Sequence, residues 1–327
     1  MATNNTALLS SVSLQFTTVN VAVACLYFLL FPVAFLFNMI AAWVSLHLSS
    51  ASTFIVYLKN LVAADLLMTL MIPPMAASKL PGASVWLKIF DCRYSSVVFY
   101  CSLYTSITLM GLISLDRFFK IVRPFGKVLG QSVTFSFVAS ALVWVVLFGG
   151  TLIPTIVLTD QSPLNTTTDF CMSLKTPAGV TLHNYVVLCM ETLFWLVAIL
   201  TMFCYICITL RVLQSFRNSG SNNNQGKKKT KLRVFLILFV FSVCFIPLHI
   251  MRIPFTLNEV FHIDGDAQNW VIIGHKFCVW LSTTNACLDP LLYIYLCREY
   301  RDKLVDMMKD KAICLGLYSK EREATSQ

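Results

Sequence analysis

Residues 89–121, IFDCRYSSVVFYCSLYTSITLMGLISLDRFFKI, decide the fold. Between Arg93 and Asp116 this stretch contains no Asp, Glu, Lys or Arg, and most of its side chains are apolar. A helix needs about 20 such residues to cross the hydrocarbon core of a bilayer. The stretch therefore predicts a membrane-spanning helix with ionisable residues near both ends.

Six further stretches of the chain have the same length and apolar character. Together with the first they predict an all-α fold, a seven-transmembrane helix bundle. The predicted spans are residues 20–46, 53–78, 89–121, 132–157, 182–213, 230–256 and 268–296.

The composition supports a membrane protein. Of the 327 residues, 57% are hydrophobic and 13% are charged, whereas a soluble domain has roughly 25% charged residues. A water-soluble protein could not cover so much apolar surface. The net charge of +9 is gathered in particular loops, which indicates membrane topology rather than nucleic-acid binding.

The distribution of basic residues predicts the orientation. Most of the 25 Lys and Arg residues lie in loops on one side of the predicted bundle, and cytoplasmic loops carry this excess. The chain is therefore predicted to be a multi-pass plasma-membrane protein with its N-terminus outside and its C-terminus in the cytoplasm. Two glycosylation sequons, at Asn4 and Asn165, fall outside under the same assignment.

Three regions follow from this topology. Residues 1–19 are predicted to be an extracellular N-terminus, 20–296 the seven-transmembrane domain and 297–327 a cytoplasmic tail. Within the tail, apolar residues recur at helical spacing among charged ones, which predicts a short amphipathic helix over 298–311 on the membrane surface. The apolar positions are Tyr300, Leu304, Met307 and Met308.

Two of the twelve cysteines differ from the rest in their surroundings. Most cysteines lie inside apolar runs, where a small apolar side chain packs well. Cys92 and Cys171 instead lie in polar segments on the predicted outer side. They are therefore the pair predicted to form a disulfide in an oxidising compartment.

Two carboxylates lie inside predicted spans, where charge is costly and usually functional. Asp65 and Asp289 fall at a similar depth, together with Ser106, Asn285 and Asn38. Their oxygens suit a small hard cation, which predicts an allosteric sodium site at Asp65, Ser106, Asn285 and Asp289. The alternative is a hydrated hydrogen-bond network with one carboxyl group protonated. No other cofactor is predicted.

Further ionisable residues lie near the ends of spans. Asp116 and Arg117 end the third span, Glu191 lies in the fifth, and His249 and Arg252 lie in the outer half of the sixth. Taken alone, an arginine at such a boundary could simply extend its charged end to the lipid headgroups.

Four motifs at the expected spans resemble rhodopsin-like G-protein-coupled receptors. They are Asp116-Arg117-Phe118 for DRY, Trp144 in the fourth span, the FSVCFIP run 241–247 for FxxCFxP, and NACLDPLLY, 285–293, for NPxxY in its DPxxY form. The resemblance implies a receptor, not an enzyme, that activates a heterotrimeric G protein. It assigns coupling roles to Asp116, Arg117, Tyr205, Phe245, Pro247, Asp289, Pro290 and Tyr293.

Longer segments resemble the purinergic nucleotide receptors, in particular the subgroup answering ADP and nucleotide sugars and its orphan relatives. These segments are residues 49–73, 92–100, 111–125, 249–256 and 285–297. The resemblance implies an extracellular anionic ligand, most readily a nucleotide or nucleotide sugar, and an inhibitory G protein. It places the ligand pocket at Tyr100, Tyr104, Lys175, His249 and Arg252.

The chain departs from that subgroup at three places. The lysine at the outer end of the seventh span is shifted by one residue, so that His275-Lys276 stands in its register, and both are kept as candidate ligand residues. The usual lysine before the second-loop cysteine is Phe170. Residues 1–19 and 257–272 contain no cysteine, so the subgroup's second outer disulfide cannot form.

Other functions remain to be weighed. A lysophospholipid or small carboxylate could use the same cations, and membrane lipids are predicted partners in any case. An amine receptor is disfavoured by Phe99 and an opsin by Thr283, each at the position of the required charged residue. A channel or transporter would need polar stripes or paired broken helices, and the sequence shows neither.

Overall fold

The computed structural model describes residues 2–122, 132–160, 170–218, 224–261 and 266–314. Within these ranges all regular structure is helical and no strand occurs. Two π-helical stretches, Asp91–Ser95 and Val145–Leu152, join α3 to α4 and α5 to α6. The helices are α1 (Ala2–Leu46), α2 (Thr53–Ser78), α3 (Val85–Phe90), α4 (Ser96–Val122), α5 (Val133–Trp144), α6 (Ile153–Val157), α7 (Phe170–Ser173), α8 (Pro177–Asn218), α9 (Asn224–Phe261), α10 (Asp266–Thr283), α11 (Asn285–Leu296) and α12 (Arg298–Cys314).

Seven helical runs in the described ranges correspond to the seven predicted spans. Six are long and apolar enough to cross a membrane, counting α3–α4 and α5–α6 as continuous runs. The seventh, α10–α11, is interrupted at Thr284 and carries Lys276 and Asp289. These runs confirm the predicted seven-helix bundle, and α12 follows it as the predicted short helix.

The helices extend beyond several predicted ends. The first begins at Ala2 rather than at residue 20, and the fifth begins at Pro177 rather than at residue 182. Polar residues can continue a helix into water, because the backbone hydrogen bonds do not require an apolar side chain. The boundary drawn at residue 19 therefore falls inside α1. The predicted bounds of the second span, 53–78, match α2.

Serine side chains start three of the helices. Ser52 accepts a hydrogen bond from the Ile55 amide at 3.3 Å, and Ser84 and Ser132 cap α3 and α5 in the same way. Each cap satisfies one amide that has no partner within the helix, which contributes about 1 kcal/mol. The local sequence therefore fixes the residue at which each of these helices begins.

The buried core has two main clusters. One surrounds Phe99, Phe194 and Phe245, towards the end of the bundle that carries Cys92. The other surrounds Tyr57, Leu58 and Tyr293, towards the end that carries Asp116. These ends are called the disulfide end and the Asp116 end below.

The final helix packs against the Asp116-end cluster. Tyr300 and Met307 of α12 are buried there, and burial raises the pKa of the Tyr300 hydroxyl to about 12. Leu304 packs beside them, but Met308 is 60% exposed. Three of the four predicted apolar positions therefore pack on the bundle, and Met308 lies on the part of the helix surface that the bundle does not cover.

Candidate functional site

The disulfide end of the bundle is closed by a covalent bond. Cys92 and Cys171 form a disulfide with their Cα atoms 5.2 Å apart, which confirms the predicted pair. The bond ties the π-helical start of the third span to the short helix α7, although the two cysteines are 79 residues apart in sequence. It therefore holds α7 at this end of the bundle.

A cavity of about 390 Å³ is lined by both disulfide cysteines and by residues of α1, α2, α4, α8, α9 and α10. Among the described residues that line it are four cationic side chains and no Asp or Glu. This charge pattern suits an anionic ligand. The four cations are Lys79, Lys175, Arg252 and Lys276.

Arg252 of α9 is held by groups from two other helices, α4 and α8. Its Nη1 donates a hydrogen bond to the Tyr104 hydroxyl at 3.2 Å, and its guanidinium carbon lies 5.0 Å from the centre of the Tyr100 ring. Its Nε lies 3.9 Å from a carboxylate oxygen of Glu191. The predicted ligand residues Tyr100, Tyr104 and Arg252 thus form one cluster on the cavity wall.

His249 lies one helical turn from Arg252 and is fully buried. Its Nδ1 is 2.8 Å from the Phe245 carbonyl oxygen, its Nε2 is 3.2 Å from the Tyr104 hydroxyl, and its ring stacks on Phe194. It is not among the described residues that line the cavity. The structure therefore places His249 behind Tyr104, where it orients the tyrosine hydroxyl.

The other candidate ligand residues line the cavity as well. Lys276 donates to the Asn20 side-chain oxygen at 2.7 Å and lies 5.4 Å from the Phe16 ring, so it also joins the seventh span to α1. The His275 ring stacks on Phe255 with the centroids 4.2 Å apart. Lys175 reaches the cavity from the segment beside the disulfide.

Sequence reasoning missed three ionisable side chains at this site. Lys79 and His183 line the cavity, and Glu191 contacts Arg252. Glu191 was recognised in the sequence only as an ionisable residue of the fifth span, and Lys79 only as one of the basic residues. What it could not show is that helix packing brings them to Arg252 and its cavity.

A polar cluster occupies the middle of the bundle. Asp65 accepts hydrogen bonds from the Ser106 hydroxyl at 2.8 Å and from the Tyr293 hydroxyl at 3.0 Å. Asp289 accepts from the Asn285 amide at 2.8 Å, and the Asn285 oxygen, also buried, has no described partner. Two carboxylates and two neutral oxygens are therefore gathered at one place, which fits a hard cation.

Asn38, which the sequence placed at the same depth, hydrogen-bonds across three spans. Its amide donates to the Ala34 and Ala286 carbonyl oxygens at 2.9 and 2.7 Å and to the Thr69 hydroxyl at 3.3 Å. These bonds join the first, second and seventh spans beside the carboxylates.

The Asp116 end contains an ion pair that the motif did not predict. Asp116 accepts hydrogen bonds from the Lys120 ammonium at 2.9 Å and from the Thr53 hydroxyl at 2.6 Å. Arg117 instead lies with its guanidinium carbon 4.2 Å from the centre of the Phe54 ring. The arginine of the motif is thus paired with an aromatic face of α2.

The remaining coupling candidates lie in the core between these two ends. Phe245 is fully buried against Phe241, and Pro247 lies two residues further along α9. Tyr205 is buried near Ser114 and Arg117, and Pro290 lies inside α11. For the predicted glycosylation sites, Asn165 lies outside the described residues and only the backbone of Asn4 is described.

Comparison with known proteins identifies this architecture. Residues 37–293 match the family described as "7 transmembrane receptor (rhodopsin family)". The chain is 39% identical over 287 residues to human purinoceptor 13, covering 88% of this chain and 81% of that protein. It is 37% identical over 281 residues to purinoceptor 14 of Bos taurus, covering 85% and 83%. It is 36% identical over 280 residues to "G-protein coupled receptor 87" of Mus musculus, covering 85% and 78%.

Proposed function

Because the chain belongs to the rhodopsin family of seven-transmembrane receptors, we propose that its natural ligand is an extracellular nucleotide or nucleotide sugar. The observation that carries this proposal is the cavity with four lining cations and no described carboxylate in its wall. Phosphate groups form strong, short hydrogen bonds with such side chains. Tyr100 and Tyr104 add aromatic faces on which a base can stack.

The proposed orientation puts the disulfide end outside the cell. The excess of Lys and Arg in the opposite loops supports it, since such loops stay in the cytoplasm. The Cys92–Cys171 bond supports it too, because disulfides persist in oxidising compartments. Under this orientation α12 rests on the inner leaflet, where its exposed basic residues meet lipid headgroups.

Coupling follows from a shift between two packings of the bundle. A ligand anion at Arg252 and Lys175 would draw the outer ends of the sixth and third spans together. The inner half of α9 would then swing outward at Pro247 and open a cleft beside Arg117 for a G protein of the inhibitory type. A ligand drives this shift only through its stronger binding to one of the packings.

The test is guanine-nucleotide exchange in membranes that contain the chain, measured against nucleotides, nucleotide sugars and lysophospholipids. A nucleotide-class agonist should lose potency in Arg252→Ala, while Arg93→Ala, which removes a cation outside the cavity wall, should leave potency within about threefold.

A response to lysophospholipids alone would favour the second candidate, a lysophospholipid receptor. The lipid tail could contact the apolar wall at Val186, Val187, Met190 and Val279. A response unchanged by Arg252→Ala would contradict the proposed pocket.

The type of G protein needs its own measurement. Purified inhibitory-type and other α-subunits, each added to stripped membranes, should differ in agonist-driven exchange, with the inhibitory type the faster. Equal or slower exchange on the inhibitory type would reject that part of the proposal.

A further inference from the structure

Glu191 is an acidic residue that forms an ion pair with a cation of the cavity wall. It lies in α8, and its side chain is 14% exposed, against 11% for Arg252. Among the described residues, Arg252 lines the cavity and Glu191 does not, so the carboxylate stands behind the guanidinium.

Packing and stability do not explain this carboxylate. Neither of its oxygens meets hydrogen-bond geometry with a described donor, although the Trp195 indole lies nearby. The Nε–oxygen distance of 3.9 Å is itself too long for a hydrogen bond to Arg252. A buried charge with such incomplete compensation is costly, and a neutral side chain of the same shape would avoid the cost.

The carboxylate affects the electrostatic potential that a ligand meets. Its negative charge opposes the field of Arg252 at the cavity wall. The energy of an anionic group there is proportional to the charge of that group, so Glu191 penalises a doubly charged group twice as much as a singly charged one. The penalty is largest beside Arg252, because the interaction of two charges weakens as the distance between them grows.

We propose that Glu191 is a specificity-determining residue, which limits the negative charge accepted beside Arg252 and so favours a diphosphate substituted at both ends over one with a terminal phosphate. This inference rests on the proposed nucleotide-class function. Each phosphate in the diphosphate of a nucleotide sugar carries one negative charge, whereas the terminal phosphate of a nucleoside diphosphate approaches two near pH 7. The site therefore favours the nucleotide sugar.

Matched probes differ in this one charge. One pair is uridine diphosphate and uridine diphosphate glucose, and the other is adenosine diphosphate and adenosine diphosphate ribose. Potency of each in guanine-nucleotide exchange is compared between the unaltered receptor and Glu191→Gln, which keeps the shape and removes the charge. Removing it should raise affinity about tenfold per ligand charge held beside Arg252. The diphosphate should thus gain about tenfold more than its sugar partner.

Two further variants keep the result interpretable. Glu191→Asp retains the charge and should retain the original ratio of potencies. Asp160→Asn removes an exposed carboxylate that pairs with Arg93 outside the cavity wall, and it should also leave the ratio unchanged. If Glu191→Gln does not reach the cell surface, Glu191→Ala replaces it with the same expected shift.

The outcomes separate the two proposals. A ratio that shifts by at least about threefold towards the diphosphate supports the role of Glu191. If agonists act through Arg252 but the ratio stays constant or moves towards the sugar, Glu191 is not the selector and the nucleotide receptor stands. If none of the four probes acts on any variant, the nucleotide-class function is wrong and the inference falls with it.

Discussion

At the scale of single residues, Arg252 is already engaged before any ligand arrives. Two of its nitrogens face Tyr104 and Glu191, and its plane lies near Tyr100. A planar guanidinium can keep these contacts while other donors meet a phosphate, and a lysine cannot. The arrangement therefore depends on geometry as well as on charge.

Arg252→Lys tests that dependence. Arg252→Ala should reduce agonist affinity by about 2–5 kcal/mol, or roughly 30- to 5,000-fold, relative to the unaltered receptor. Arg252→Lys, which loses the guanidinium but keeps the charge, should reduce affinity by less than that. Dose–response curves normalised to surface expression give both values. If Lys and Ala substitutions leave potency within about threefold, Arg252 serves only to hold Tyr104 and Glu191 in place and does not bind the ligand.

Asp65 is the residue on which the proposed sodium effect depends. A cation held by Asp65, Ser106, Asn285 and Asp289 would favour one packing, and by linkage the agonist would then oppose it. Sodium should lower agonist affinity about fivefold or more in the unaltered receptor. In Asp65→Asn the change should fall within about twofold.

The control for Asp65 is a second buried carboxylate in the same bundle. Asp91 accepts hydrogen bonds from the Ser78 and Ser96 hydroxyls at the disulfide end, away from the polar cluster. Asp91→Asn should keep the sodium response, which is measured by agonist competition with and without sodium at constant ionic strength. A sodium response that persists in Asp65→Asn would rule out this site.

How much of the site the sequence predicts depends on the kind of contact. Tyr100 and Tyr104, or His249 and Arg252, are neighbours along one helix, so their spacing already placed them on common faces. Glu191 meets Arg252 only through the packing of α8 against α9, which local spacing does not describe. For His249 the sequence predicted the helix face correctly. It did not predict that the side chain is buried behind Tyr104, because that burial depends on the Phe194 ring of another helix.

At the scale of helices, the hydrogen bond from Thr53 of α2 to Asp116 of α4 joins the second and third spans. Lys120 and Thr53 both bind the Asp116 carboxylate, and Lys120 also donates to the Thr53 hydroxyl at 2.5 Å. Because the carboxylate is buried and already paired, Arg117 does not have to neutralise it. The arginine can therefore take its place on the Phe54 ring, where it would meet a G protein.

Lys120→Met should change coupling through that arrangement. Without the lysine, Asp116 is left with a neutral hydroxyl partner, and Arg117 becomes the nearest cation that can compensate it. Basal and agonist-stimulated exchange should both fall, by about threefold or more, without loss of agonist binding. Lys309→Met on the exposed face of α12 is the control, and equal effects of the two changes would refute this role for Lys120.

The contact between α12 and the bundle is tested by two methionines one residue apart. Met307 is buried in the cluster around Tyr293 and Met308 is 60% exposed. Met307→Ala should cost about 2 kcal/mol of stability, through lost apolar contact and the cavity left behind. Met308→Ala should cost under about 0.5 kcal/mol.

Thermal unfolding of the detergent-solubilised receptor compares the two variants. A lower midpoint for Met307→Ala alone is the expected result. A larger shift for Met308→Ala would mean that α12 packs through its other face.

The helices also show which helix ends the sequence pattern predicts and which it does not. Apolar runs predicted α2 to the residue, because Ser52 caps one end and polar residues follow the other. The same runs could not predict that α1 continues back to Ala2, since residues beyond the apolar segment are helical without being buried in lipid. The interruption at Thr284 was missed because the polar run Ser282-Thr283-Thr284-Asn285 contains no Gly or Pro, the residues that usually mark a break in a helix.

At the scale of the whole molecule, the charges divide between the two ends of the bundle. Cations line a cavity beside the Cys92–Cys171 bond, and further basic residues gather at the Asp116 end. In the proposed function the first group binds the ligand, and in the proposed orientation the second group sets the membrane topology, so the net charge of +9 would have two separate explanations. The composition alone could exclude a soluble protein, but the division became visible only when the helices were placed side by side.

The proposed orientation makes a prediction for the intact receptor in cells. With the N-terminus outside, Asn4 and Asn165 are both exposed to the glycosylation machinery, which acts only on the luminal side of the secretory pathway. Digestion with an N-glycosidase should therefore increase the gel mobility of the receptor, and Asn4→Gln with Asn165→Gln together should abolish the shift. The single variants should each retain part of the shift.

An epitope tag after Gln327 provides the opposite control, because antibody should label it only after the membrane is permeabilised. Labelling of that tag on intact cells would contradict the orientation, and with it the assignment of the cavity to the extracellular side.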